Sequence, residues 1–138
     1  MFRGIKFVLV ITLITVGETA EDRAALPSFN ESTPQNVTLY QGETARLLCH
    51  VYNLQNKKVT WQKKGQHYPL TVSTFSFLSD RSIRIEHDED SEWNLIIEKV
   101  QRNDTGIYQC KVATKTALLV REVHLTVKGE ICLILLDL

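Results

Sequence analysis

Two cysteines, each set in sequence that alternates between apolar and polar residues, constrain the fold of this chain most strongly. Cys49 follows Ala45 and Leu47 at two-residue spacing, and Cys110 follows Tyr108 at the same spacing. Side chains two residues apart lie on one face of a β-strand. Both cysteines are therefore predicted to point into a protein core from extended strands.

The same alternation recurs from residue 36 to residue 128, in eight or nine short segments separated by turn signals. Its predicted inward sets on later segments are Val59 and Trp61; Ile83 and Ile85; Trp93, Leu95 and Ile97; Val123, Leu125 and Val127. The one helical hint is the short link "EKVQRND". Many short strands without helical periodicity are typical of an all-β sandwich, so we predict one such domain at 36–128.

The N-terminus has the pattern of a secretory signal peptide. Arg3 and Lys6 precede a largely apolar run at residues 7–16, and polar residues follow. A membrane span needs roughly 20 apolar residues, so this run is too short to remain as an anchor. We predict a signal peptide at 1–17, with cleavage as late as residue 20 as the second choice, and a flexible lead-in at 18–35.

Secretion would place the cysteines in an oxidising compartment, where they pair. Cys49 and Cys110 lie in patterned sequence, whereas Cys132 lies in the short apolar tail 129–138. We therefore expect a Cys49–Cys110 disulfide between the two sheets, with Cys132 left over. The long loop that it closes gives the bond a stabilising contribution of about 4 kcal/mol.

Composition and motifs exclude several function classes. Formal net charge is zero, so no basic field for nucleic acid is present, and no phosphate-binding glycine loop occurs. The four histidines lack zinc-site spacing, and the run "HDEDSE" lacks the glycine of a calcium loop. We expect no cofactor and no metal. Three glycosylation sequons, which begin at Asn30, Asn36 and Asn103, agree with an extracellular protein.

Cys49, Trp61 twelve positions later, and the run Asp104-x-Gly106-x-Tyr108-x-Cys110 together resemble the immunoglobulin-domain pattern. The resemblance implies an immunoglobulin-like β-sandwich of variable or intermediate type. It also implies that Trp61 packs on the disulfide and that Tyr108 forms a tyrosine corner. Asp104, Tyr108 and Cys110 are then structural, as is Leu95, and the resemblance implies no enzyme.

A narrower resemblance covers residues 70–115, which are similar to the first domain of the Dpr and DIP neuronal surface proteins of insects. The nematode zwei-Ig proteins and, more remotely, the vertebrate IgLON proteins are similar too. The residues that carry the resemblance are Leu70-Thr71-Val72, Phe75-Ser76-Phe77, Ser79-Asp80 and Glu92-Trp93-Asn94-Leu95. It implies cell–cell recognition through the CC′FG face of the domain, homophilic or with another immunoglobulin-superfamily protein.

Two features depart from that family. Ser82 stands before Ile83 where relatives carry the arginine that pairs with the aspartate corresponding to Asp104. Relatives also continue into further domains, whereas the tail after Val127 is too short for a membrane span or a glycolipid-anchor signal. We therefore expect no stable membrane span in this chain and a secreted or cell-surface location.

Strand alternation predicts which residues lie on the proposed face. If Tyr108 and Cys110 point inward, Ile107, Gln109 and Lys111 point outward. The full set of expected partner-binding residues is Thr60, Gln62, Tyr68, Leu70, Val72, Ile107, Gln109 and Lys111. Leu118 and Val120 would complete the face, while Phe75 and Phe77 fit either the face or a buried position. We expect apolar anchors at the centre, surrounded by Gln62, Gln109 and Lys111.

The alternative function is a secreted ligand-binding or immune-type domain that uses its loop tips. Long, aromatic-bearing loops would favour it, whereas the loops "YNLQNKK" and "TKTA" are short. Glycans at Asn36 and Asn103 are expected to be compatible with binding through the face.

Overall fold

The strands form two main antiparallel-rich sheets with a shared core, as the sequence predicts. The computed structural model describes residues 26–78, 82–88 and 91–129. In chain order the strands are β1 (Ser28–Phe29), β2 (Asn36–Tyr40), β3 (Ala45–Leu47), β4 (Val51–Tyr52), β5 (Val59–Lys63), β6 (Thr71–Val72), β7 (Phe75–Ser76), β8 (Ile83–Glu86), β9 (Asn94–Ile97), β10 (Gly106–Ala113) and β11 (Leu118–Lys128). A short 3₁₀ turn, Arg102–Asp104, precedes β10.

Six strands form one sheet in the order β2-β11-β10-β5-β6-β7, and β3-β9-β8 form the other. The remaining strands, β1 and β4, pair with each other. Within the six-stranded sheet β2 runs parallel to β11, while the other neighbours are antiparallel. This arrangement is an immunoglobulin-like sandwich, which confirms the predicted fold class.

The Cys49–Cys110 disulfide links the two sheets through the core, with 6.5 Å between the Cα atoms. Trp61 is fully buried in the same cluster, and its indole Nε1 donates a hydrogen bond to the Trp93 carbonyl at 2.8 Å. Leu95 is fully buried as well. The apolar residues at two-residue spacing therefore supply the core, because alternate side chains of each strand face it.

The turn before β10 is held by hydrogen bonds that involve the side chains of Asp104, Thr105 and Tyr108. The Tyr108 hydroxyl donates to the Asp104 carbonyl at 2.5 Å, which is the tyrosine-corner contact. The Asp104 carboxylate accepts from the Gln101 amide at 2.8 Å. The hydroxyl of Thr105 accepts from the Val127 amide at 2.9 Å. Burial of Asp104 and Tyr108 is compatible with folding because their polar groups are hydrogen-bonded, while Thr105 is exposed.

The segment before β2 is tied to the domain more closely than a flexible lead-in at 18–35 allows. Strand β1 pairs with β4, and the buried Arg121 side chain reaches across to the chain between β1 and β2. Its guanidinium donates to the hydroxyl and carbonyl of Thr33 and to the Glu31 carbonyl, at 2.7–3.1 Å. Residues 28–33 are therefore part of the fold, because β1 pairs with β4 and because Glu31 and Thr33 accept hydrogen bonds from the buried Arg121 guanidinium.

Several sequence predictions concern residues outside the described ranges. These are the signal peptide at 1–17, the lead-in up to residue 25, Cys132 with most of the tail, and residues 79–81 in the stretch similar to Dpr and DIP. Across the described part of the chain, no helix has the length and hydropathy that a membrane crossing requires.

Candidate protein-binding face

One side of the six-stranded sheet faces away from the core and forms the candidate site. In immunoglobulin lettering β5, β6, β10 and β11 are strands C, C′, F and G, and β7 corresponds to C″. We call this outer side, with β7 included, the CC′FG face. On β10, Tyr108 and Cys110 are buried, so the intervening Ile107, Gln109 and Lys111 lie on the face. All three are half-buried by their neighbours.

Polar side chains occupy the two middle strands of the face and bond to one another. Gln109 on β10 lies opposite both Glu122 on β11 and Gln62 on β5. Its side-chain amide donates to the Glu122 carboxylate at 2.8 Å. The Lys111 ammonium donates to the side-chain amide oxygen of Gln62, Oε1, at 3.1 Å. Thr60 lies opposite Lys111 and continues this polar centre.

The charge on Glu122 is stabilised by its neighbours on the face. The hydrogen bond from Gln109 lowers the pKa of the Glu122 carboxyl below its ordinary value, and the nearby Lys64 ammonium lowers it further. Lys64 Nζ lies 3.5 Å from the carboxylate. Glu122 is therefore ionised at neutral pH, and the middle of the face presents a fixed arrangement of charges and amides.

An exposed apolar cluster flanks this polar centre on the β6–β7 side. Phe75 is 63% exposed, and Phe77 is about half exposed. Their rings meet edge to face, with centroids 4.9 Å apart. Val72 pairs with Phe75 across the hairpin, and Tyr68, also half exposed, lies just before β6. The two-residue turn between β6 and β7, with Ser73 at φ 52°, brings Phe75 and Phe77 beside Val72 at the edge of the face. Tyr68 lies apart from them and lines a pocket with Leu78 and Ile83.

The opposite flank of the face, on β11, carries a smaller apolar pair. Leu118 is 56% exposed and Val120 is 40% exposed, and Val120 lies opposite Lys111. At one end of β10, half-buried Ile107 lies opposite exposed His124. The register thus places Ile107 on the face, as alternation along β10 requires.

Leu70 is the one expected face residue that the structure places in the core. It is 3% exposed and belongs to the buried cluster. Thr71, the next residue, is also buried, so alternation does not hold where the chain enters β6 after Pro69. The Leu70 amide donates to the Trp61 carbonyl at 2.8 Å, which holds the backbone with the side chain turned inward. The assignment of Leu70 to the interface was wrong.

The distribution of polarity also differs from the expected one. The sequence led us to place apolar anchors at the centre, with Gln62, Gln109 and Lys111 around them. In the structure these three residues lie on the middle strands, and the larger apolar side chains lie on the flanks. The difference arises because the outward positions on β5 and β10 carry polar residues, except for Ile107 and Ala113 near the two ends of β10, while the aromatic residues fall on the last hairpin of the sheet.

Sequence reasoning missed Glu122, although a signal for it existed. In the run "REVHLTV" the inward position of Val123 requires Glu122 to point outward, and the structure places it opposite Gln109. The exposure of Phe75 and Phe77 could not be decided from alternation alone, because a short C″ strand either packs beneath its loop or opens to solvent.

The remaining titratable residues form no metal-binding cluster in the described part of the chain. No group of three or more His, Cys, Asp or Glu residues within 26–78, 82–88 and 91–129 is placed to hold a metal ion. His87 stacks on the Trp93 ring at 3.8 Å, and His50 lies against Tyr52. The rings of these two histidines pack on aromatic residues outside the six-stranded sheet.

Comparison with known proteins places this geometry in a family context. The family model for the immunoglobulin I-set domain matches residues 27–127. Limbic system-associated membrane protein of Rattus norvegicus is 33% identical over 72% of this chain and 28% of its own length. Smooth muscle myosin light chain kinase of Gallus gallus is 31% identical over 78% of this chain, which is 5% of the kinase. The chain thus spans under a third of either relative.

Among solved structures, the crystal structure of Dpr1 IG1 bound to DIP-eta IG1 contains a chain similar to this one. The TM-score is 0.71 at 30% sequence identity, and the alignment covers 75% of this chain and 98% of that chain. A single domain of that complex therefore corresponds in length to the described part of this protein.

Proposed function

The chain belongs to the immunoglobulin I-set family, and on that premise we propose that it is a recognition module that binds a second immunoglobulin domain through its CC′FG face. The location that fits this role is the cell surface or the extracellular space, and the role itself is cell–cell recognition or adhesion, in the nervous system. The partner is a second copy of this chain or a related immunoglobulin-superfamily protein.

The observation that carries the proposal is the apolar cluster on the β6–β7 flank. Phe75 and Phe77 are each at least half exposed, their rings are in contact, and Phe75 pairs with Val72. A solitary domain gains nothing from holding this much aromatic surface in water, and such patches mark binding sites for other proteins. Large aromatic side chains are also the residues that contribute most to binding energy at protein interfaces.

The bonded polar centre adds specificity to this flank. Glu122, Gln109, Gln62 and Lys111 hold one another in fixed positions, so they need little ordering when a partner arrives. A partner must then present charges complementary to Glu122, Lys64 and Lys111. The face thus combines apolar anchors with a preformed pattern of charge.

The similar solved structure supports the kind of partner. Its name describes one immunoglobulin domain, Dpr1 IG1, bound to another, DIP-eta IG1, at 30% identity to this chain. The similarity to limbic system-associated membrane protein supports a role in the nervous system. A single domain presents roughly 800 Å² per partner at a standard interface. We therefore expect modest affinity that many copies on a membrane would amplify.

Catalysis has no place in this proposal. Asp104 and Tyr108, which lie close to the disulfide in sequence, serve the fold through the tyrosine corner. The kinase match covers only 5% of that protein and therefore carries no activity over to this chain.

One observation favours the alternative, binding at the loop tips. The loops after β4 and β10 border a cavity of about 660 Å³ that is open to solvent. It is lined by Leu26, Gln55, Asn56, Lys57 and residues 113–116. That volume would accept a small ligand. The cavity lies at one end of the sandwich, so variants can separate it from the face.

Changing Ile107 to Asp tests the face directly. Ile107→Asp should leave secretion and folding nearly intact, because the side chain is outward, and should weaken binding about tenfold by forcing an unpaired charge into the interface. Surface plasmon resonance measures this against a second copy of the chain and against the first immunoglobulin domains of Dpr1 and DIP-eta.

Thr126→Asp is the matched control, because Thr126 is exposed on β11 beside edge strand β2. It should change affinity little. Failure of the Ile107 variant to be secreted would assign Ile107 to the core, and unchanged binding by a folded Ile107 variant would move the site to the loop-tip cavity.

A further inference from the structure

The sequon on strand β2 lies at the margin of the CC′FG face, and we infer that an N-glycan on Asn36 covers the β2 side of this face and weakens docking there. The inference rests on the proposed function for its effect on binding. It replaces the expectation that a glycan at Asn36 is compatible with binding. The modification class is the ordinary asparagine-linked glycan, which is bulky and hydrophilic.

The register of the sheet places Asn36 in one row with residues of the face. Asn36 pairs with His124 on β11, and His124 pairs with Ile107 on β10. Paired residues in adjacent strands point to the same side of a sheet. Asn36, His124 and Ile107 therefore project from the same side, in that order from the sheet edge inward.

The position of β2 against β11 is held at its start by two hydrogen bonds. The His124 amide donates to the Gln35 carbonyl at 2.7 Å, and the Gln35 side-chain amide donates to the Glu122 carbonyl at 3.1 Å. Glu122 belongs to the polar centre of the face. The residue before the sequon is thus bonded directly to the strand that carries the face.

The sequon itself points outward. Asn36 and Thr38 are both exposed, while Val37 and Leu39 between and after them pack against the core. Because β2 is an edge strand of the six-stranded sheet, the approach to this asparagine is open on the solvent side. The acceptor asparagine and the threonine that the transferase requires are therefore accessible together.

The distance across the sheet decides how much of the face such a glycan would cover. Strands lie roughly 4.8 Å apart, so Asn36 stands about 10 Å from Ile107, and β7, which carries Phe75, lies about 24 Å from β2 across the sheet. A partner that covers roughly 800 Å² spans about 28 Å. A partner centred on β10 and β5 would therefore meet the glycan at its margin. The β6–β7 flank would remain free.

The other two sequons lie elsewhere. Asn103 is exposed in the 3₁₀ turn before β10, and its carbonyl accepts from the Lys63 ammonium at 2.8 Å. Lys63 lies opposite Tyr108 and so projects from the core side of the sheet. Asn30 lies next to the paired strands β1 and β4, where its backbone amide donates a hydrogen bond to the His50 carbonyl. Asn103 therefore supplies a matched control for Asn36.

The choice of variants follows from these contacts. Thr38→Val removes the Asn36 sequon and keeps a β-branched residue in the strand, while Thr38→Ser keeps the sequon. Asn103→Gln removes the control glycan. It is preferable to Thr105→Ala, since the Thr105 hydroxyl accepts a hydrogen bond from Val127.

The test begins with the full chain secreted from animal cells. Glycopeptide mass spectrometry should find Asn36 occupied, and an unmodified Asn36 overturns the inference. Binding is then measured by surface plasmon resonance against a second copy of the chain and the first domains of Dpr1 and DIP-eta. Thr38→Val should tighten binding roughly fivefold, about 1 kcal/mol, whereas Thr38→Ser and Asn103→Gln should not. Equal affinities for all these variants overturn the inference.

A second measurement needs no partner and keeps the inference separate from the proposed function. In a Cys132→Ser background, the His124→Cys variant is labelled with a maleimide on a large polyethylene glycol. Labelling should be roughly fivefold slower with the glycan present than after Thr38→Val. The control variant Arg84→Cys, at an exposed position on β8, should label equally fast with the glycan and after Thr38→Val. Equal rates at position 124 overturn the shielding. Slower labelling there without any effect of Ile107→Asp on binding would instead overturn the proposed function.

Discussion

Replacing Cys49 by alanine should abolish secretion of the folded domain. The disulfide joins the two sheets inside the core, and both cysteines are fully buried. Its loss removes about 4 kcal/mol of loop-closure stabilisation, and the smaller side chain leaves a cavity beside Trp61. This loss is comparable to the lower end of the net stability of such a domain, roughly 5–15 kcal/mol, and removal of a native disulfide from a small secreted domain often abolishes folding. Immunoblots of medium and cell lysate measure the result.

Cys132→Ser is the matched control for that experiment. It removes the third cysteine, which lies outside the described residues, and should leave secretion and the Cys49–Cys110 bond unchanged. Non-reducing peptide mapping of the secreted control should recover the Cys49–Cys110 peptide pair. A stable, secreted Cys49→Ala chain would show that packing around Trp61 suffices without the bond.

Replacing Phe75 by aspartate should reduce binding between tenfold and a hundredfold while the domain stays folded. Phe75 is the most exposed large apolar side chain of the described residues, at 63%, so its removal costs the free domain little. Burial of a phenylalanine against a partner contributes about 1.5–3 kcal/mol, and the new carboxylate would have to be desolvated without a counter-charge. Surface plasmon resonance of the secreted variant gives the loss.

Tyr52→Asp is the control for Phe75→Asp, because Tyr52 is an aromatic residue of comparable exposure, 45%, on the short strand β4 outside the six-stranded sheet. It should leave affinity unchanged. If Tyr52→Asp weakened binding and Phe75→Asp did not, the partner would contact the opposite side of the sandwich.

The core was predictable from local sequence because each strand carries its own alternation. The disulfide, buried Trp61 and the outward positions of β10 all follow from a period of two around anchored residues. The position of Arg121 in the sequence also indicates a buried cation, although our sequence predictions did not include it. Arg121 lies in phase with the inward Val123, so a buried cation had to find partners, and it finds them in residues 31–33.

The site was less predictable because it depends on irregular backbone and on pairing between distant strands. Leu70 turns inward where the chain enters β6 after Pro69, and no periodicity describes such a step. The place of Asn36 beside His124 comes from the parallel pairing of an early strand with the last one. Residues 88 positions apart give no local pattern from which that neighbour could be deduced.

Docking through the CC′FG face is the central claim, and hydrogen exchange tests it most directly. Exchange is compared between the free chain and the chain bound to whichever tested partner binds it: a second copy, or the first domain of Dpr1 or DIP-eta. Exchange reports local opening and burial of backbone amides, segment by segment. We predict slower exchange in the bound state for peptides that cover 58–64, 70–78 and 105–113, which carry the face. Slowing confined to residues 53–57 and 114–117, at the loop tips, would contradict docking through the CC′FG face.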